Sequence, residues 1–276
     1  MSIRGAANLV LPQSVANRIR LAGYRWTLRR FRPYQVRRSR AGHEFDLWIS
    51  DPTAKSWYDR DSTEIPSEMS FLSQYRLRSG ATVFDCGAFQ GLIAMILARL
   101  VGTTGKVVAI EPGPHNYEAA MRNCRLNDAR NVALVNAVVS DSATPVEFNC
   151  RANGQVDDGS GAWGKVFVPG VSVDELARRY GPPDVLFVDV EGFESRVLRG
   201  ATDTLSRHRP DCFFEMHVGC GLEKFGGSVK SMTDSLDRLG YQLWMGGDEL
   251  DGFVPFSEHS PLVKARFFLI ATAAAP

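Results

Sequence analysis

The sequence is poor in cysteine and lacks a hydrophobic run long enough to cross a membrane. Its five cysteines include no C-x-x-C pair, which argues against a disulfide framework or a zinc site and favours a reducing compartment. No segment has the roughly 18 uncharged apolar residues that a bilayer span requires. Residues 1–11 lack the apolar core and the cleavage site of a signal peptide. The chain is therefore predicted to be cytoplasmic.

Acidic residues are absent from the first 43 positions, which contain ten arginines. Because the net charge of the whole chain is +1, residues 44–276 carry a net charge of −9. Residues 14–31 have a loosely helical pattern and are predicted to form a cap helix on the domain. The alternatives are an organellar transit peptide and a basic amphipathic surface. In the second case residues 14–40 would contact an anionic membrane peripherally.

The dinucleotide fingerprint G-x-G-x-x-G is also missing. Residues 83–91 instead indicate an apolar strand that ends at Asp85 and turns through Gly87 and Gly91 into an apolar helix. Glycine lets the backbone approach a ligand closely, because it has no Cβ and adopts positive φ without penalty. A carboxylate at Asp85 would repel a phosphate. The turn therefore predicts a phosphate-free cofactor with an amino group and a sulfonium, and S-adenosylmethionine fits that description.

Short apolar strands alternate with helical patterns along most of the chain. Such an alternation predicts a parallel sheet that is covered by helices on both faces. The last two strands close the chain without a regular helix, which predicts an antiparallel finish. Strands are predicted at residues 43–49, 82–85, 107–111, 132–138, 185–190, 212–216, 241–245 and 266–271, and helices at 68–77, 92–101, 116–126, 173–179 and 195–207.

Acidic side chains follow five consecutive strands of the predicted sheet. The carboxyl ends of parallel strands meet at one crevice, so we expect these residues to face the same ligand. Glu111 is placed to accept hydrogen bonds from both ribose hydroxyls, or else to cap the next helix. Ser140 and Asp141 are predicted at the adenine edge, and the alternative for Asp141 is an Asx-turn.

Two i, i+2 pairs follow the fourth and fifth strands of the repeat. Asp189 and Glu191 can crowd each other and raise the pKa of one carboxyl, which suits a general base or an oxygen-rich divalent-metal site. Glu215 and His217 repeat the spacing, and a neutral histidine is a second type of base. We predict catalytic roles for Asp189, Glu191 and His217. A possible Mg²⁺ would be held by Asp189, Glu191 and Glu215. The alternatives are a helix-capping carboxylate and a structural histidine.

Taken together, these motifs resemble the FkbM family of S-adenosylmethionine-dependent methyltransferases. The resemblance runs over residues 77–216, and its distinctive part is Asp189-x-Glu191-Gly192 with the later Gly200-Ala201. The other matching segments are 83–91, 109–117, 123–127, 135–141, 173–176 and 214–217.

The resemblance implies a class I, Rossmann-like fold with a seven-stranded, mostly parallel sheet and helices on both faces. It also implies methyl transfer to a hydroxyl oxygen of a sugar, a glycan or a polyketide-type molecule. Contacts with the cofactor are implied for Asp85, Gly87 and Glu111. We extend the predicted cofactor site to Ala88, Gly91, Pro112, Asn116, Ser140, Asp141 and Asp189.

The predicted organisation has two parts. Residues 1–76 form a basic N-terminal extension or cap with a substrate-side segment, and residues 77–276 form the methyltransferase domain. Residues 149–165 are rich in glycine and polar side chains and are predicted to be a mobile loop. No specific nucleic-acid partner is expected.

Three other functions stay open at this point. One is an NAD(P)-binding Rossmann oxidoreductase, although the missing fingerprint and Asp85 disfavour it. Another is a catalytically silent module that the basic leader recruits to anionic surfaces. The third is a methyltransferase that acts on nitrogen or on a carboxylate.

Overall fold

A computed structural model describes residues 26, 29–149, 155–156, 165–247, 252–260 and 265–273. The predicted N-terminal helix over residues 14–31 lies largely outside these residues, although Trp26, Arg29 and Arg30 are helical. Within the described ranges, no helix is both long enough and apolar enough to traverse a bilayer.

The described chain opens with an antiparallel hairpin of β1 (Tyr34–Arg40) and β2 (His43–Ile49). The predicted strand over residues 43–49 is confirmed with the same bounds, and the alternate residues Phe45, Leu47 and Ile49 are buried. The pairing strand β1 was not predicted. Its Arg37 and Arg38 form ion pairs with Asp46 and Asp59, so this part of the basic leader binds acidic groups of its own chain.

Two short helices connect the hairpin to the main sheet, α1 (Pro52–Tyr58) and α2 (Ser67–Leu72). The predicted helix over residues 68–77 is therefore shorter than expected. It ends because the N–H groups of Gln74 and Tyr75 bond to carbonyls three residues back, which tightens the chain into a turn.

The described residues form a central eight-stranded sheet and, besides the β1–β2 hairpin, a two-stranded and a three-stranded sheet. The remaining strands, in chain order, are β3 (Thr82–Cys86), β4 (Lys106–Ile110), β5 (Val132–Val135), β6 (Val138–Val139), β7 (Val146–Asn149), β8 (Gln155–Val156), β9 (Lys165–Val168), β10 (Gly170–Val171), β11 (Val185–Val188), β12 (Asp211–Met216), β13 (Tyr241–Gly246), β14 (Val254–Pro255) and β15 (Phe267–Ala273).

The main sheet has the order β14-β13-β15-β12-β11-β3-β4-β5. Strands β5, β4, β3, β11 and β12 are parallel, and β15 is antiparallel to both of its neighbours. The predicted mostly parallel sheet with an antiparallel finish is confirmed. The sheet has eight strands rather than seven, because the two-residue β14 joins the edge next to β13.

Helices cover both faces of this sheet, as predicted. One face carries α3 (Leu92–Val101) and α4 (Pro114–Leu126), and the other carries α5 (Val173–Tyr180), α6 (Glu194–Arg199), α7 (Thr202–Arg207) and α8 (Val229–Arg238). The buried hairpin residues belong to the same core cluster as α3, so residues 34–72 and the sheet share one hydrophobic core.

The single helix predicted over residues 195–207 is broken into α6 and α7 at Gly200-Ala201. Gly200 lies so close to the next layer that a Cβ there would be 2.1 Å from the Ser140 carbonyl oxygen. Asp174 then accepts hydrogen bonds from the N–H groups of Asp203 and Thr204, which caps the second helix from a distant segment.

The strand predicted over residues 132–138 is also divided. The Asn136 side chain donates to the carbonyls of Glu111 and Pro112, and this fixes a bend after β5. Beyond the bend, β6 leaves the main sheet and pairs in parallel with β10.

Helix α8 was missed, because serine, threonine and aspartate lower its helix propensity. A signal for it was nevertheless present. Ser228 and Ser231 form a capping box, and Met232 and Leu236 are buried one helical turn apart.

Residues 149–165 are not wholly a loop. Strand β8 pairs with β7, and β9 pairs with β7 on its other edge, so Asn149, Gln155, Val156 and Lys165 of this segment belong to a small antiparallel sheet. Residues 150–154 and 157–164 lie outside the described residues, and the predicted mobility stays a prediction.

We expect the substitution Gly200→Ala to lower the free energy of unfolding by about 1–3 kcal/mol, because the new methyl group would overlap a backbone carbonyl that cannot move aside. Urea denaturation followed by circular dichroism measures this change. Gly247→Ala is the matched control, since no atom lies within 4 Å of a Cβ at that position. Equal effects of the two substitutions would contradict the packing explanation for the helix break.

Candidate active site

The glycine turn after β3 forms the base of the site. Gly87 has a φ of 99°, and a Cβ there would be 1.7 Å from the Asp189 carbonyl oxygen. Gly91 has a φ of 87° and packs against Ala120 of α4. Only glycine satisfies both the backbone conformation and the close approach at Gly87. The ends of β3 and β11 are thereby brought side by side.

Glu111, at the end of β4, holds the glycine turn in place. Its Oε2 accepts a hydrogen bond of 2.9 Å from the Phe89 N–H, and its Oε1 accepts one of 2.7 Å from the Gly113 N–H. Burial raises the pKa of Glu111 to about 8, although the bonds from Gly113, Asn116 and Phe89 act in the opposite direction. Each carboxylate oxygen has a second lone pair, so the group can still accept hydrogen bonds from a ligand.

Asp85 has a buried carboxylate oxygen with no protein partner. The residue is 2 % exposed, and its Oδ2 makes no hydrogen bond. Burial raises the pKa of Asp85 to about 7. Since buried polar atoms are nearly always hydrogen-bonded in folded proteins, an unpartnered carboxylate here indicates a place for a donor group of a ligand.

A cleft of about 590 Å³, which includes space open to solvent, lies above these residues. Among the described residues that line it there is no lysine or arginine. One wall is apolar and suits a purine ring. The lining consists of Trp57, Gly87, Phe89, Ile110, Glu111, Pro112, Ala137, Val138, Val139, Phe148, Asp189, Val190, Glu191 and Phe193. These residues fit S-adenosylmethionine, with Glu111 available to the ribose. Asp85 lies outside the lining, and its unpartnered Oδ2 is available to a cationic or N–H donor.

A second tight turn follows β11 and carries the predicted catalytic carboxylates. Glu191 has a φ of 53°, which is strained for a non-glycine residue. Gly192 has a φ of 105°, and a Cβ there would be 2.4 Å from the Gly221 Cα. The turn is therefore clamped against the segment that follows β12, and it directs Asp189 and Glu191 into the cleft.

His217 lies behind this turn and is held by Glu194. The imidazole is 3 % exposed, and its Nδ1 is 2.7 Å from Glu194 Oε1. Burial alone would lower the pKa of His217, but the hydrogen bond and charge of Glu194 outweigh it, and the pKa rises to about 9. The contact partner Glu194 was not predicted as a site residue. Glu194 lies two residues after the distinctive Asp189-x-Glu191-Gly192 motif, and this position was the feature of the sequence that could have identified it.

Carboxylates surround the other imidazole nitrogen. His217 Nε2 lies 3.5 Å from Glu191 Oε2, 3.8 Å from Asp189 Oδ1 and 3.9 Å from Glu215 Oε1. Burial, together with the charge of Glu215, raises the pKa of Asp189 well above its usual range. Burial also raises the pKa of Glu191. The structure thus assembles all four residues that were predicted from two separate strand ends.

Two predicted cofactor residues lie elsewhere. Asp141 does not line the cleft, and it forms ion pairs with Arg196 and Arg199 at 3.1 and 3.0 Å. Partial burial would raise the pKa of Asp141, but the two arginines lower it below its usual value. Ser140 is buried, and its N–H donates to the Val171 carbonyl. In the structure this pair makes contacts within the protein, and the predicted adenine contact stays a prediction.

The other predicted cofactor residues are close to the cleft. Pro112 lines it directly. The Ala88 N–H donates to the Ile110 carbonyl and helps to shape the glycine turn. Asn116 is buried and contacts Glu111 and the side chain of Gln90.

Sequence reasoning missed a buried network that ties the N-terminal segment to the glycine turn. Asp51 accepts hydrogen bonds from Gln90 Nε2 at 2.7 Å and Ala54 N–H at 2.8 Å, and it contacts His115 Nε2 at 2.9 Å. Burial would raise the pKa of Asp51, but His115 and these donors lower it overall. No strand-end pattern could reveal the network, since Asp51 comes from another part of the chain.

The sequence model of the methyltransferase FkbM domain matches residues 85–243, more than half of the chain. No curated protein matches the chain significantly. Among solved structures, an FkbM methyltransferase from Methylobacillus flagellatus is 17 % identical with a TM-score of 0.47. That match covers 74 % of this chain and 47 % of that one, so this chain spans about half the length of that relative.

Two further structures are similar at the same level. A SAM-dependent methyltransferase from Aquifex aeolicus is 16 % identical with a TM-score of 0.44, over 80 % of this chain and 93 % of that one. Fibrillarin from Aeropyrum pernix, solved with S-adenosyl-L-methionine, is 14 % identical with a TM-score of 0.47, over 89 % and 86 % of the two chains. At these values the likenesses support no conclusion about activity.

The family match covers the glycine turn, Glu111, the turn after β11 and His217. It therefore contains the described residues that line the cleft, except for Trp57, and the cluster of carboxylates around the histidine. The resemblance that the sequence motifs indicated is confirmed. The chain belongs to the FkbM methyltransferase family and is an S-adenosylmethionine-dependent methyltransferase.

Proposed function

We propose that this enzyme methylates a hydroxyl oxygen of a sugar, a glycan or a polyketide-type small molecule. The observation that supports this most strongly is the approach of two turns within one cleft. Gly87 of the cofactor turn touches the backbone of Asp189, and Asp189 and Glu191 line the same cleft. A carboxylate beside the cofactor turn can accept the proton that a hydroxyl loses as its oxygen is methylated.

The chain's own residues would position both ligands. Glu111 accepts the ribose hydroxyls, and the apolar wall that includes Ile110, Val138 and Phe148 holds the adenine ring. When bound, S-adenosylmethionine supplies an electrophilic methyl group. The protein contributes proximity and orientation, which are worth several kcal/mol of a transfer barrier.

Glu191 is the proposed proton acceptor. Its side chain is 33 % exposed and lines the cleft, whereas His217 is buried behind it with Nδ1 bound to Glu194. A hydroxyl that enters the cleft therefore meets Glu191 before it meets the imidazole. His217 is a positioning residue in this arrangement, because its Nε2 faces Glu191 Oε2 at 3.5 Å.

The acceptor class is supported by the outer part of the cleft. Trp57 is 43 % exposed and packs against Phe89 with ring centroids 5.0 Å apart. An exposed ring beside two carboxylates offers a flat apolar surface and hydrogen-bond acceptors, a combination that suits a polyhydroxylated ring. The nicotinamide ring of NAD(P)⁺, the cofactor of the alternative oxidoreductase function, would not require these carboxylates.

Calorimetric titration with S-adenosylmethionine and S-adenosylhomocysteine tests the cofactor site. We expect the wild-type protein to bind both, and Glu111→Gln to weaken binding about 10- to 100-fold, because charge-assisted hydrogen bonds to the ribose are lost. Glu118→Gln is the matched control, since Glu118 is exposed on the outer surface of α4. Binding of NAD⁺ in place of both sulfur compounds, by a folded sample, would refute the assignment.

Release of S-adenosylhomocysteine in the presence of a panel of sugars, glycans and polyketide alcohols tests the reaction. With an active acceptor, Glu191→Gln should lower kcat about 10²- to 10⁴-fold, the range for loss of a general base, and leave the affinity for S-adenosylmethionine within threefold. Glu118→Gln again serves as the control. A kcat unchanged in Glu191→Gln would assign proton removal to another group, and methylation of amines or carboxylates alone would refute the hydroxyl acceptor.

A further inference from the structure

A gap bounded by one nitrogen and two oxygens lies at the end of the cleft. Asp189, Glu215 and His217 each offer one ligand atom, and these atoms lie within 4.8 Å of one another. His217 Nε2 is 3.8 Å from Asp189 Oδ1 and 3.9 Å from Glu215 Oε1. These separations are too long for hydrogen bonds. They are compatible with an ion that touches all three atoms.

His217 is oriented so that its Nε2 atom can bind a ligand. Glu194 binds Nδ1 at 2.7 Å, which fixes the orientation of the ring and leaves Nε2 pointing into the gap. The oxygen nearest to Nε2 is Glu191 Oε2 at 3.5 Å, beyond the usual hydrogen-bond length. In metal-binding histidines, the ring nitrogen that does not bind the metal commonly donates to a carboxylate, which orients the imidazole.

Asp189 provides an independent observation. Its Oδ1 is buried and makes no hydrogen bond, although the rest of the side chain reaches the cleft. Arg266 Nε lies 2.9 Å from Glu215 Oε1, the same oxygen that faces His217 Nε2. Four carboxylates, those of Asp189, Glu191, Glu194 and Glu215, therefore face one histidine and one arginine, so that acidic groups outnumber basic groups in the cluster.

We propose that Asp189, Glu215 and His217 bind a hard divalent cation, Mg²⁺ or Mn²⁺. Two carboxylate oxygens and one imidazole suit such an ion better than a thiophilic one, and three protein ligands leave coordination positions open. Asp189 lines the cleft, so the ion is reachable from it. The role of the ion rests on the proposed function: it would bind the acceptor hydroxyl and make it more acidic, while Glu191 takes the proton.

This ligand set differs from the one that the sequence predicted. Glu191 was expected to be a ligand as well as a candidate base, and His217 was expected to be a base. In the structure the His217 side chain is 4 % exposed, whereas those of Asp189 and Glu191 are 42 % and 33 % exposed. His217 takes the place of Glu191 in the ligand set because the ligand atoms of Asp189, Glu215 and His217 lie within 4.8 Å of one another.

Electron paramagnetic resonance of Mn²⁺ added to chelator-treated full-length protein measures binding directly, without any methyl transfer. We expect one Mn²⁺ per chain, and Mg²⁺ should displace it. Asp189→Asn and Glu215→Gln should each weaken Mn²⁺ binding at least about tenfold, the size of effect seen even for partners of metal ligands. Glu223→Gln, an exposed change in the segment after β12, should bind as the wild type does.

Calorimetry with S-adenosylmethionine on the same samples separates this proposal from the proposed function. Protein that binds S-adenosylmethionine but leaves the Mn²⁺ spectrum unchanged would overturn the cation site alone. Binding of Zn²⁺ without competition by Mg²⁺ or Mn²⁺ would overturn the choice of a hard cation. Asp189→Asn and Glu215→Gln both preserve the shape of the side chain. Loss of Mn²⁺ binding in both variants, with retained affinity for S-adenosylmethionine, supports the site and excludes misfolding as the cause.

Discussion

Gly87 lies so close to the Asp189 carbonyl oxygen that a Cβ would be 1.7 Å away, and the rest of the site depends on this contact. Strands β3 (Thr82–Cys86) and β11 (Val185–Val188) are far apart in the sequence but are neighbours in the sheet. The missing side chain lets their two turns meet. A second clamp, between Gly192 and Gly221, then sets the turn after β11 against the end of β12. Three strand ends thereby share one cleft.

The buried carboxylates of the site lower the stability of the fold and provide polar groups for ligands. Asp85, Glu111 and Glu194 are almost fully buried, and removing a charge from water is costly unless partners replace the lost hydration. Glu111 has such partners in the Phe89 and Gly113 N–H groups. Oδ2 of Asp85 and Oε2 of Glu194 have none. A fold that keeps such atoms unpartnered at one edge of its sheet has a surface prepared for ligands rather than a core optimised for stability.

The N-terminal segment belongs to the site although it lies outside the family match. The match begins at residue 85, whereas Asp51 bonds to Gln90 of the glycine turn and Trp57 lines the cleft. Asn123 adds a second link, since it accepts from the Trp48 N–H and donates to the Gln90 carbonyl. A part of the chain that precedes the family match therefore supports the glycine turn and lines the cleft.

The alternation of strands and helices, the glycine turn and the acidic strand ends could be predicted from the sequence, because they depend on local periodicity and on backbone conformations that few residues adopt. The motifs also indicated the family. Which strand-end residues meet could be seen only in the folded chain: Asp141 pairs with Arg196 and Arg199, while Glu194 contacts His217. The breaks at Gly200 and Asn136 were equally hidden, since their causes are a carbonyl of Ser140 and carbonyls of residues 111 and 112. Contacts between distant segments depend on how the helices and the sheet pack together, and this packing cannot be predicted from a local sequence pattern.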